Sequence, residues 1–258
     1  MTEIYNHRMA TNEFRWGVKP AIPGHWLGTL CHDDFDVEIA GDWIEARKED
    51  DGQREVQQMR AQQIVDGIVR KIGLAERTRF TATLGSVSRF DPHSNRRDSS
   101  VVLSDGLGVK MSAHADVVVT SADGTVVADS RKERMSELLR FSDTSAKNDT
   151  LQRMSDYLLE YHADIDKKLA PLFDIIELAA EVFGHEHKAA TSLGVGIKRM
   201  NEATHVMNDS SIRSSRHRGQ EVSQQRDPSP AESQLCEAVA EQIVSEYTKL
   251  VQRGAAPR

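Results

Sequence analysis

Apolar residues recur at every second position through the first half of this chain and at helical spacing through the second, with the change near Ser130. Phe14, Trp16 and Val18 alternate with polar residues, and Phe35, Val37 and Ile39 alternate with acids. Each run predicts a strand with one dry face. Trp43 and Ile44 continue the sheet after a turn at Gly41-Asp42. Pro20, Pro23, Gly24 and Gly28 break the chain between these runs, which predicts loop and short strand there. Ala61, Ile64, Val65, Ile68 and Ile72 then form one helical stripe, predicting a helix over 53–72 packed on the sheet. Gly73 is placed to end it in the left-handed conformation.

Strands resume at Phe80, Ala82 and Leu84, with Gly85 a candidate bulge before Val87. Asp91-Pro92-His93-Ser94-Asn95 carries turn chemistry. Leu107, Val109, Met111, Ala113, Ala115, Val117 and Val119 give the longest alternation and the strongest strand signal. Val101-Val102-Leu103 is its expected neighbour, joined near Asp105-Gly106. Asp123-Gly124 signals a hairpin returning through Val126-Val127.

Helical spacing takes over with Met135, Leu138 and Leu139, followed by a polar loop over 142–148. Leu151, Met154, Tyr157, Leu158 and Tyr161 form the next stripe, with Asp149 or Thr150 as its cap. Leu172, Ile175, Ile176, Ala179 and Phe183 follow, entered through Pro171 and closed by Gly184. Residues 208–230 are rich in Ser, Gln, Arg and Asp and read as an exposed polar linker. Leu235, Val239, Ile243, Tyr247 and Leu250 make a last helix.

These patterns predict an α+β fold. An antiparallel or mixed N-terminal sheet with one covering helix precedes an all-helical region. The expected divisions are a sheet domain over 1–130, helices over 131–207, a linker over 208–230 and a helix over 231–252.

Composition narrows the function classes. Hydrophobic residues are 38% and charged residues 28%, as in globular chains. No apolar run approaches the ~20 residues that span a bilayer, and the polar N-terminus lacks the apolar core of a secretory signal. No membrane partner is expected. Cys31 and Cys236 are the only cysteines and sit in no metal-type spacing, which favours a reducing cytoplasm. A net charge of −7 argues against coating nucleic acid non-specifically, so any such contact must use a local basic surface.

One such surface is legible between Lys188 and Ala203. A short helix carrying Ala189, Ala190 and Leu193 meets Gly194, and a second amphipathic helix follows with Met200 and Ala203 on its inner face. A small residue is needed where two such helices cross, and Ala190 supplies it. Val195 can plug the gap under the turn. Gly196, Lys198, Arg199, Asn201, Glu202 and His205 would then face outward. Over about twenty residues the segment resembles the helix-turn-helix superfamily of DNA-binding modules, whose second helix enters the major groove. The resemblance implies that Lys198, Arg199 and Asn201 read DNA. Downstream, Arg213, Arg216, His217 and Arg218 could add phosphate contacts. Glu202 on the same face and Gly196 at the helix start depart from the pattern, and two packed helices joined by a glycine would read the same way.

Other clusters carry less. His185-Glu186-His187 has the wrong spacing for a zinc helix and suits a helix start. Cys31-His32-Asp33-Asp34 is adjacent in sequence, whereas catalytic groups converge in space. A lone buried cysteine is the ordinary fate of Cys31. Asp91, His93, Arg96, Arg97 and Asp98 could bind an anion. Trp43 suits the core, while Trp26 in its Gly/Pro-rich loop is a candidate exposed contact.

No catalytic set, metal site or cofactor is expected. The leading reading is a non-enzymatic interaction or regulatory protein that contacts DNA through Lys198, Arg199 and Asn201, with Arg213, Arg216 and Arg218 beside them. The alternatives are a module that binds another protein, or itself, through the sheet edge over 107–119, and last an enzyme of unknown reaction.

Overall fold

The structure, a computed structural model, describes residues 10–32, 34–92, 96–101, 118–120, 126–164, 166–215 and 225–256. These form an α+β fold that divides into two compact units. The first comprises Met1–Ile72 and Phe80–Ser142, the second Gly73–Arg79 and Asp143–Arg258.

The first unit is built on a six-stranded antiparallel sheet. Its strands are β1 (Thr11–Lys19), β2 (Gly28–His32), β3 (Phe35–Ile39), β4 (Trp43–Glu49), β5 (Thr81–Asp91) and β6 (Arg96–Val101). Their order is β2-β3-β4-β1-β5-β6, so the first strand lies in the middle. Alternation buries Phe14, Trp16 and Val18 of β1 beside Phe35, Val37, Ile39, Ile44 and Ala46. Helix α1 (Arg54–Glu76) adds Ala61, Ile64, Val65, Ile68 and Ile72 to the same core. Gly85 is the extra residue of a bulge, since Arg15 pairs Ser86 while Trp16 pairs Leu84. Arg97 and Ser88 both donate to Glu13, at 2.9 and 2.7 Å, so Arg97 of the candidate anion loop is committed to the sheet. A separate antiparallel pair, β7 (Val118–Thr120) and β8 (Val126–Asp129), precedes α2 (Ser130–Ala146).

Several expectations need correction. Gly73 does not end α1, which runs on to Glu76. Arg77 takes the left-handed conformation instead, at φ 48. Gly73 is required for another reason: a Cβ there would lie 2.8 Å from Leu159 Cδ2 and 2.7 Å from the Thr78 carbonyl oxygen. Trp26 is buried, because a 3-10 turn (Gly24–Trp26) tucks it beneath the Arg134 guanidinium at 5.7 Å. Cys31 is exposed on edge strand β2, where its thiol meets Asp36. His93, Ser94, Asn95, the run 102–117 of the long alternation and the turn Asp123-Gly124 lie outside the described residues.

The second unit contains α3 (Asp149–Ala163), α4 (Ala170–Phe183), α5 (Glu186–Ser192), α6 (Ile197–Asn208) and α7 (Pro230–Gln252). Apolar α4 packs against each of the other four. Asn148, one residue before the predicted cap, accepts from the Leu151 amide at 2.7 Å and starts α3. Pro171 and left-handed Gly184 bound α4 as the pattern predicts. A capping box between Ser229 and Glu232 starts α7. Part of the stretch read as exposed linker is held inward: Ile212 and Ser215 are buried, and Arg226 grips Glu232 with two bonds of 2.7 Å. Among the described residues no helix is long and apolar enough to cross a membrane.

Candidate functional site

The local sequence of α5 and α6 explains their shape. His185 starts α5 by accepting from the Lys188 amide, and Glu186 sits favourably in the first turn. The trio His185-Glu186-His187 is therefore a helix start. Gly194 at φ 62 and Gly196 at φ 80 turn the chain through backbone that residues with a Cβ rarely adopt. Ala189, Ala190, Leu193, Val195, Met200 and Ala203 are all buried, which closes the inner side of the pair.

The outer side carries the predicted residues. Lys198, Arg199, Asn201, Glu202 and His205 are exposed on α6. The Lys198 side chain is 91% exposed and lies 3.9 Å from Glu202 one turn on. Such an exposed pair contributes only about 0.3–0.5 kcal/mol and leaves the ammonium available. Arg199 donates to Gln242 of α7 at 3.0 Å, and the Gln242 amide donates to the Gly194 carbonyl at 3.0 Å. Gln242 thus braces both the turn and the arginine. Arg213 belongs to a different segment: its amide donates to Arg226, and its side chain pairs with Asp227 at 3.4 Å. Arg216 and Arg218 lie outside the described residues, as does His217.

A second cluster in the same unit escaped the sequence reading. His162 near the end of α3 faces Glu237 and Glu241, which are one turn apart on α7. Its ring nitrogens stand 3.9 Å from Glu237 and 3.8 Å from Glu241, beyond hydrogen-bond reach. Arg77 reaches the same carboxylates, at 3.1 Å to Glu237 and 2.9 Å to Glu241. Burial, reinforced by the positive charges of Lys167 and Arg77, pushes the His162 imidazole down to about 4. Burial also raises the Glu241 carboxyl above its ordinary value, against the pull of Arg77. Tyr161 and Cys236 are pushed up to about 12, in each case chiefly by burial and then by a nearby carboxylate, Glu237 or Glu232.

These shifts make stability depend on pH. His162 takes up its proton near 6.5 when unfolded but near 4 when folded. The unfolded state therefore binds more protons in that window, and stability falls as pH drops from 6.5 towards 4. Glu241 acts in the opposite sense just above 4.5, where the folded state holds the extra proton. Cys236, ordinarily 9, stays protonated in the fold to about 12, so stability is also lost as pH rises through 9. Thermal melts from pH 4 to 10 should peak between these limits. His162→Phe should flatten the acid limb, and Cys236→Ala the alkaline one. A flat profile in both variants and parent would contradict the burial of these groups.

No family model, curated protein or solved structure matches this chain.

Proposed function

We propose that this chain is a non-enzymatic binding or regulatory protein that contacts duplex DNA through the outer face of α6. The observation that carries the reading is the two-sidedness of that helix. Met200 and Ala203 are buried on one side, while Lys198 and Asn201 are exposed on the other and Arg199 is exposed on the flank, where Gln242 of α7 holds it. A lysine and an arginine in one turn suit phosphate, and an asparagine amide can bond adenine bidentately. The helix is short and begins at Gly196 directly after the turn, so its first turns carry Lys198, Arg199 and Asn201. Because the chain carries a net charge of −7, contact is confined to this patch and steeply weakened by salt.

The test uses the full chain, since Gln242 of α7 braces the turn. Fluorescence anisotropy with mixed-sequence duplexes should show binding at about 50 mM salt that weakens steeply as salt rises. Lys198→Ala with Arg199→Ala should reduce the slope of log affinity against log salt by about 2. Absence of salt-dependent binding at low salt would remove DNA as the partner. The reading left standing would be a protein partner bound through a sheet edge; among the described residues β2 and β6 end the sheet order.

A further inference from the structure

The cluster around His162 sets two carboxylates, Glu237 and Glu241, against the single guanidinium of Arg77. His162 shows 1% side-chain exposure, and its Nε2 has no hydrogen-bond partner. A buried imidazole nitrogen without a partner loses its hydration and gains nothing in return, so its placement asks for an explanation. It points at Glu241, and the ligand atoms of His162, Glu237 and Glu241 all lie within 4.8 Å of one another. Two glutamates spaced four apart on α7 present their oxygens on one helix face, and α3 supplies the nitrogen from the facing side.

Arg77 is the present counter-ion. It sits at the left-handed end of α1 and its side chain is 58% exposed, so it can swing into solvent at little cost. One guanidinium against two carboxylates leaves one negative charge over. A divalent ion would neutralise both carboxylates and also use the histidine nitrogen, which Arg77 leaves without a partner.

We propose that His162, Glu237 and Glu241 form a site for a divalent first-row transition ion of the zinc type, which displaces Arg77 from the two carboxylates. One imidazole and two carboxylates are hard-to-borderline donors that suit zinc or cobalt. Zinc bonds are about 2.0–2.2 Å, so the glutamate side chains must close inward by on the order of an ångström. Three protein ligands leave a fourth position for water or a ligand atom.

The experiment is calorimetric titration of the chelator-treated full chain with Zn2+ alone, paired with Co2+ absorption spectroscopy. The expected result is one saturable site and the visible bands of four- or five-coordinate Co2+. His162→Ala and Glu241→Gln should each weaken Zn2+ binding by about tenfold or more. Arg77→Gln should strengthen it by roughly fivefold or more, because a competing charge is gone. His185→Ala with His187→Ala should leave it unchanged. Circular dichroism establishes that each variant is folded. Since Arg77→Gln leaves every ligand in place, it tests the site even where His162→Ala unfolds. No saturable Zn2+ binding by parent or Arg77→Gln would overturn the proposal. Binding that follows His185 and His187 would do the same.

Discussion

Gly67→Ala lowers the stability of this protein, although it places the best helix former inside a helix. Gly67 lies in the middle of α1, where alanine is ordinarily favoured by about 1 kcal/mol. The added methyl carbon, however, would stand 2.6 Å from the Cα and 2.7 Å from the Cβ of Ser142 on α2, with the Ser142 hydroxyl closer still. A side chain can turn aside but a Cα cannot, so the two helices must part. The Ser142 hydroxyl, which donates to the Ile64 carbonyl at 3.0 Å, would be displaced from a buried bond. Overpacking of this kind costs about 1–3 kcal/mol, occasionally more, and the loss of the bond adds to it. At roughly 2–4 °C per kcal/mol for a chain of this size, calorimetry should record a fall of about 5–10 °C. Ser142→Gly in the same background should recover part of it. A Tm that stays level or rises would mean that α1 and α2 do not approach so closely.

Trp16→Ala should cost about 3–5 kcal/mol, the range for truncating a buried aromatic. Trp16 is 0% exposed on the central strand β1, with Ile44 and Leu84 as its cross-strand neighbours. Its indole nitrogen donates to Gln62 of α1 at 2.5 Å, so it fastens the covering helix as well as filling the sheet. Urea titration followed by far-UV circular dichroism should show the midpoint drop with little change in slope. Trp16→Phe, which keeps most of the volume and loses the bond, should fall between. A loss below about 1 kcal/mol for alanine would place Trp16 outside the core.

The α5–α6 pair was largely legible in the sequence. Residues three and seven apart on a short helix must share a side, so Met200, Ala203 and Met207 on the inside force Lys198 and Asn201 outward and leave Arg199 on the flank. Gly194 marked the turn, while the positive φ of Gly196, read only as a weak helix start, was not foreseen. What escaped was Gln242, because nothing local ties a residue of α7 to Arg199 and Gly194. Trp26 escaped for a similar reason: glycine and proline around it mark irregular backbone correctly, but irregular backbone can still fold inward. The His162 cluster was the least legible. Glu237 and Glu241 show as one face of a predicted helix, yet surface helices carry such pairs routinely. Only the arrival of His162 from α3 and Arg77 from the end of α1 distinguishes this pair.

By itself the sequence determined where most of the described strands and helices lie and which side of each avoids water, although α2 runs on to Ala146 through residues expected to be loop. Those properties follow from periods of two and 3.6, which are set within a few residues. The tertiary structure alone decided that β1 lies between β4 and β5, that Gly67 and Gly73 are needed for close approach rather than for turning, and that four residues from three helical segments share one charged cluster. Such facts depend on distances between positions far apart in the chain, and no local pattern encodes a distance.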